Sequence, residues 1–309
     1  MHKSKIKYVI TGGAGFIGSH IVDRLVEKGF QVHVIDNFST GKKENCNPNA
    51  QYHNLDISLK ENSERMVEIM NGAHGVFHLA ALARVQPSID DPLTYEKVNS
   101  YGTINVLKCA VDSKVNRLVY SASSSAYGNQ ENMPLKETDA ANPISPYALQ
   151  KLYGEKACKM FSEIYDIETV SLRYFNVYGE RQLLDGAYCL VIGTFANQRL
   201  NNTPLTIRGD GEQKRDFTYV LDVVDANILA MNSSKVGNGE VINIGNGSNT
   251  SVKELATYIG GEFEHTDPVI EPRETLACNK KAKHLLDWQP SGNLKKWIKE
   301  YKNDLGIVD

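Results

Sequence analysis

The chain has 309 residues, 41% apolar and 23% charged, with a net charge of −3. This is enough for one or two packed domains, and it leaves no basic footprint for nucleic acid. Five scattered cysteines without a CxxC or Cys/His pattern exclude a disulfide framework and a zinc site, so no metal is expected.

The N-terminus runs into a first strand without a signal-peptide core, and no apolar run reaches about 18 residues. A soluble, cytoplasmic protein with no membrane partner is therefore expected. Residues 7–36 read KYVITGGAGFIGSHIVDRLVEKGFQVHVID. The β-branched run Tyr8–Thr11 ends in glycines, and Phe16, Ile17, Ile21, Val22, Leu25 and Val26 then recur at helical spacing. Gly29 stops that helix, and Val32–Ile35 form a second strand ending at Asp36, a βαβ unit of about 30 residues. Gly12 and Gly13 allow a tight turn, Gly15 lets backbone approach a pyrophosphate, and Gly18 lets the helix pack on the strand. Asp36 can accept hydrogen bonds from both ribose hydroxyls and would repel a 2′-phosphate, so NAD is expected rather than NADP.

Further along, strands are expected at 51–55, 75–81, 117–121 and 168–172. Helices are expected at 63–70, 95–111 and from Pro146 to Tyr165, Pro being suited to a first turn. Strands alternating with helices predict an α/β fold, a Rossmann-type doubly wound parallel sheet with ligands beyond the strands' carboxyl ends. Asp56 follows such an end, where it can reach adenine or serve only as a turn aspartate. Beyond Asn176 the elements shorten. Helices are read at 191–200, 223–231, 252–259, 280–286 and 294–305, and strands at 205–208 and 241–244, the last returning to the main sheet. The predicted division is 1–175 plus about 218–245 for NAD, and 176–217 plus 246–309, a smaller interleaved α/β domain, for substrate.

Tyr147 and Lys151 stand four apart on one helix and share a face. An ammonium beside a phenol favours phenolate, which makes Tyr147 a candidate general base for a hydroxyl. Ser121, Ser123, Ser124 and Ser125 follow the strand at 117–121, where one hydroxyl could bond both the reacting oxygen and the phenol.

TGGAGFIGS at 11–19, HLAA at 78–81, SSSAYG at 123–128, PYALQK at 146–151 and RYFNVYG at 173–179 resemble the extended short-chain dehydrogenase/reductases. Within them the chain resembles the NAD-dependent UDP-sugar 4-epimerases of the UDP-glucose and UDP-N-acetylglucosamine type. The resemblance implies Ser123 as catalytic serine, Tyr147 as base and Lys151 on the nicotinamide ribose. It implies cofactor contacts from Gly12, Gly15, Phe16, Ile17, Gly18, Asp36, Asn37, Asp56, Ile57, Leu79, Ala80, Ala81, Asn99 and Tyr174. For substrate it implies Ser123, Ser124, Tyr147, Asn176 and Val191, backbone contacts to uracil from Leu205–Thr206–Ile207, and diphosphate-gripping Arg215 and Arg273. Two guanidinium forks suit a diphosphate. Thr275, small where a bulky aromatic would restrict the sugar, would leave room for an acetamido group. Family members commonly dimerise through helices here at 95–111 and 146–165.

Relatives that eliminate water carry an Asp-Glu pair beside the catalytic hydroxyl, where this chain has Ser124 and Ser125. The implied reaction is therefore reversible 4-epimerisation of a UDP-hexose through a 4-keto sugar. UDP-glucuronate epimerisation, nucleotide-sugar ketoreduction and a non-catalytic NAD-binding regulator are the alternatives.

Overall fold

The computed structural model describes residues 5–186, 189–268 and 271–307. The first half alternates strand and helix. It runs β1 (Lys7–Thr11), α1 (Phe16–Glu27), β2 (Gln31–Asp36), β3 (Gln51–Asn54), α2 (Ser63–Met70), β4 (Gly75–His78), α3 (Val85–Asp90), α4 (Pro92–Glu96), α5 (Gly102–Asp112), β5 (Arg117–Ser123), α6 (Pro146–Ile164) and β6 (Glu168–Tyr174). The remainder carries β7 (Asn176–Tyr178), α7 (Val191–Leu200), β8 (Leu205–Arg208), β9 (Lys214–Tyr219), α8 (Val220–Asn232), β10 (Asn238–Ile244), β11 (Asn249–Ser251), α9 (Val252–Ile259), β12 (Phe263–Thr266), α10 (Lys280–Leu286) and α11 (Leu294–Asp304).

Seven strands form one parallel sheet in the order β10-β6-β5-β4-β1-β2-β3. Parallel strands covered on both faces need apolar residues on both, which explains their near-continuous hydrophobic runs. In β1, Tyr8 and Ile10 pack with Ile21, Val22 and Val34 on one face, while Val9 packs with Ile35, Val76 and Met66 on the other. Strand order reverses between β1 and β4, which opens a crevice beyond their carboxyl ends. Thr11 registers with Ile35 and with His78, so the exits of β1, β2 and β4 lie level. The return expected of residues 241–244 is present, with Ile242 opposite Leu172 and Ile244 opposite Tyr174.

A second, smaller core gathers Tyr178, Phe195, Leu205, Ile207, Phe217, Leu255, Ile259 and Trp297. It lies beside a three-stranded sheet, β11-β9-β7, and the parallel pair β8–β12.

The structure departs from the expected helix at 95–111. Asp91 caps α4 by accepting the Thr94 N–H at 3.2 Å and Pro92 occupies the first turn, so the helix begins earlier. Residues 97–101 then form a π-helical turn before α5, and the expected single helix is three segments. Short α3, unmarked by periodicity, precedes them. β5 and β6 each run two residues past their expected ends.

Two charges are buried in the sheet's flank. Glu155 on α6 and Arg173 on β6 form a bidentate pair at 2.8 and 2.7 Å, with side chains 1% and 5% exposed. Arg173 also lies over the Tyr127 ring. Removing one partner strands the other charge, so Glu155→Ala should cost about 3–5 kcal/mol. Lys296→Ala, which removes an exposed partner 3.9 Å from Glu300, should cost less than about 1 kcal/mol. Urea denaturation of both variants checks the contrast.

Candidate active site

The site begins with a backbone contact at the exit of β1. Gly12 has φ 73°, and a Cβ there would stand 2.6 Å from the Ala80 nitrogen at the exit of β4. A Cβ on Gly18 would stand 2.2 Å from the Gly12 carbonyl oxygen. Only glycine permits both approaches. Gly15 is different: its Cβ would meet only the Gly12 oxygen, at 3.3 Å. It is the N-cap of α1 and provides no side-chain cap, so the helix presents free N–H groups at its positive end.

Beyond this turn lies a cavity of about 450 Å3. Its walls bring together Gly12, Gly15, Phe16, Ile17, Gly18, Asp36, Asn37, Asp56, Ile57, Leu79, Ala80 and Ala81 at one end. Ser123, Ser124, Tyr147, Lys151, Tyr174 and Asn176 complete it. Asp36 accepts the backbone N–H groups of Ala14 at 2.9 Å and Phe38 at 2.8 Å, one on each oxygen. Each oxygen keeps further acceptor capacity toward the cavity. Asp56 serves as a turn aspartate and also stands on the cavity wall. It closes an Asx turn, accepting from the Ser58 backbone at 2.8 Å and the Asn37 amide at 3.1 Å. Burial opposes its ionisation, but these bonds hold its carboxyl below the usual range.

Asn99 stands behind the wall rather than on it. Its amide accepts from the Leu82 N–H at 2.8 Å and donates to the Leu82 carbonyl at 2.9 Å and to Gln150 at 3.0 Å. The π-helical turn carries it, an irregularity found often at functional sites. His78, fully buried between Thr11 and Thr103, is pushed down to about 3 by burial and by Lys151, and is a neutral tie.

The reactive pair sits at the start of α6, which Ser145 caps by accepting the Ala148 N–H at 3.2 Å. Burial raises the Tyr147 phenol, opposed by hydrogen bonding with Ser123 and by the charge of Arg84. Lys151 is lowered to about 8 by burial, which Glu155 partly offsets. Its ammonium donates to the Ser121 carbonyl at 2.8 Å and lies 6.0 Å from the Tyr147 ring centroid. Lys151 thus stands by the Tyr147 ring with its ammonium held by backbone. A second cation, Arg84, which the sequence reading passed over, lines the same cavity, and its charge opposes the rise of the phenol pKa. Its signal was an arginine at the end of the small-residue exit HLAALAR. Ser125 donates to Ser123 Oγ at 2.8 Å, and the Tyr174 hydroxyl is tied to Ser121 and Asn227, leaving its ring on the cavity wall.

The remaining residues expected at the substrate do not line this cavity. Val191 opens α7. Leu205 and Ile207 are buried in the second core, and Thr206 accepts a hydrogen bond from Gln198 at 2.8 Å. Arg215 is buried and paired with Glu271 at 2.7 Å. Arg273 is exposed and bidentate to Asp210 at 2.8 and 2.9 Å. Thr275 is buried, its hydroxyl accepting the Asp216 N–H at 3.3 Å. Asp216, raised to about 6 by burial against three backbone donors, pins this strand to Asn246, Gly247 and Ala277.

A glycine-turn crevice on a parallel sheet, with a Ser-Tyr-Lys cluster at one end, defines a dinucleotide-dependent enzyme of the short-chain dehydrogenase type. The chain belongs to the NAD dependent epimerase/dehydratase family, whose model matches residues 8–245. A relative from Methanocaldococcus jannaschii is 40% identical over 306 residues, 96% of this chain and 97% of its own. The crystal structure of UDP-glucose 4-epimerase with UDP-glucose from Thermotoga maritima superposes with a TM-score of 0.90 at 38% identity, over 97% of this chain and 99% of that one. UDP-N-acetylglucosamine 4-epimerase from Methanobrevibacter ruminantium, in complex with UDP-N-acetylmuramic acid, gives 0.89 at 34% identity, over 98% and 100%.

Proposed function

We propose that the protein catalyses reversible 4-epimerisation of a UDP-hexose, UDP-GlcNAc/UDP-GalNAc or UDP-Glc/UDP-Gal, through a transient 4-keto sugar. The observation that carries this reading is the convergence of Ser123, Tyr147 and Lys151 on the cavity that the glycine turn and Asp36 also line. The chain fits NAD: Gly15 leaves the α1 N-terminus uncovered for a pyrophosphate, and Asp36 faces the cavity with spare acceptors. Bound there, NAD supplies reversible hydride exchange at C4 of the sugar.

The chain's own residues supply the rest. Tyr147 takes the proton of the C4 hydroxyl, Ser123 hydrogen-bonds the same oxygen, and Lys151 holds the ribose end. Asn176 meets the sugar diphosphate. Arg215 and Arg273 grip it once they exchange Glu271 and Asp210 for phosphate oxygens, which for Arg273 replaces one bidentate anion by another. Held by its diphosphate, the keto sugar can turn and present its other face. Ser124 and Ser125 stand where an elimination needs an acid and a base, and serine hydroxyls do not ionise near neutral pH.

Residues 1–175 plus 218–245 form the NAD-binding unit in this reading, and the rest the nucleotide-sugar unit. Among the described residues no helix is long and apolar enough to cross a membrane, and all five cysteines are free, which suits the reducing cytoplasm. The segment 92–112 and α6 expose Leu93 (81%), Tyr101, Leu149 (57%), Tyr153, Met160 and Ile164 (64%), an apolar face that supports a homodimer.

Two experiments test this. Proton NMR of the anomeric region, with the purified protein and each UDP-sugar in turn, should show UDP-GlcNAc becoming UDP-GalNAc or UDP-glucose becoming UDP-galactose. Tyr147→Phe should stop this by about 100-fold or more while NAD stays bound. Silence with both sugars contradicts the reading. Light scattering should give a dimer, and a monomer for Leu149→Asp. A wild-type monomer refutes the pairing.

A further inference from the structure

Residues 82–84, at the exit of β4, are clamped to the helix that carries Tyr147. Asn99 bonds both the N–H and the carbonyl of Leu82, and the same amide reaches Gln150 on α6. The Tyr95 hydroxyl donates to the Ala83 carbonyl at 2.7 Å. From α3, one turn further on, Ser88 Oγ accepts the Tyr147 backbone N–H at 3.1 Å. Arg84 ends this clamp with φ 97°, a left-handed conformation that is strained for any residue with a Cβ. Such strain persists only where the surroundings over-determine it, and it gathers at functional sites.

The Arg84 side chain lines the cavity together with Ser123, Tyr147 and Lys151. Burial lowers its pKa, yet a guanidinium keeps its proton at any working pH. The groups whose charge acts on it are Cys189, Tyr147 and Tyr95. Tyr147 itself is met by Ser123 and Tyr120 from β5, by Lys151 along its own helix and by Arg84 from the β4 exit. Two of these groups are cations, and the Lys151 ammonium is engaged by the Ser121 carbonyl.

We infer that Arg84 is a positioning residue of the base: lining the same cavity as Tyr147 and Lys151, its guanidinium adds a second positive charge that favours the Tyr147 phenolate. A cation sharing a partly desolvated cavity with a phenol lowers the cost of ionising it. The clamp fixes the backbone next to the residue that carries that charge. This rests on Tyr147 being the base of the proposed reaction.

The test is the pH dependence of kcat for the NAD-loaded protein and for Arg84→Gln, Arg84→Lys and Arg84→Gly. Glycine adopts the left-handed φ without strain, so Arg84→Gly guards against a variant that merely misfolds. Phenolate is lost as pH falls through the pKa of the base, which gives the rate an acidic limb. Without Arg84 that pKa rises, so the limb should move to higher pH by about one to two units in the Gln and Gly variants. Arg84→Lys should restore part of the shift. Ultraviolet difference titration against Tyr147→Phe should show the same tyrosine ionising at correspondingly higher pH. With Tyr147→Phe inactive, a fall in kcat with an unmoved limb, or a change in KM alone, overturns the role of Arg84. An active Tyr147→Phe overturns the base assignment instead.

Discussion

The close approach of three backbone segments, Gly12, Gly18 and Ala80, is the constraint on which the rest depends. At Gly18 the first turn of α1 sits against the Gly12 carbonyl with no room for a methyl group. At Gly12 the β1 exit lies against the β4 exit just as tightly. These contacts bring the positive end of α1 directly over the sheet's carboxyl edge. They also carry the chain from β4 across the crevice toward the segment that ends in Arg84. A side chain at either position would push helix or strand outward and spoil both ends of the cavity at once.

Charge is handled differently at the two ends. At the end lined by the glycine turn, Asp36 and Asp56 are satisfied by backbone and amide donors while retaining acceptor capacity, and those bonds hold the Asp56 carboxyl below its usual range. At the reactive end, burial works against every ionised form: the phenol is raised and the Lys151 ammonium lowered to about 8. Glu155, paired with Arg173, stands one turn further along α6, where its negative charge favours the charged lysine. The pair that braces the sheet thus also biases the active site. Buried charges here belong to a connected arrangement, which is the setting in which polar interactions inside a protein are strongest.

Much of this was legible in the sequence because it is local. Buried parallel strands must be apolar throughout, so β1, β2, β4 and β5 show themselves as short hydrophobic runs. The turn residues at their ends then mark the crevice, and the spacing of Tyr147 and Lys151 puts both on one helix face. Elements set by distant partners were not legible. The π-helical turn at 97–101 exists alongside a clamp that ties Asn99 to Leu82 and Gln150, and no periodicity encodes that. Arg84 carries no motif, and the contact that ties the neighbouring α3 to Tyr147, through Ser88, joins residues 59 apart in the chain. Arg215 and Arg273 were visible as arginines, but their pairing with Glu271 and Asp210 follows from loop conformation.

The central claim is that hydrogen leaves and returns at C4 inside a closed site, with Tyr147 handling only the hydroxyl proton. Incubation of UDP-glucose and UDP-GlcNAc, each deuterated at C4, followed by mass spectrometry and NMR of the epimeric product, tests this most directly. Retention of the deuterium at C4, with none exchanged into water, is the expected result. Washout at C4, or solvent hydrogen at C5, would mean that the carbon is deprotonated, and would contradict hydride return as the basis of this site.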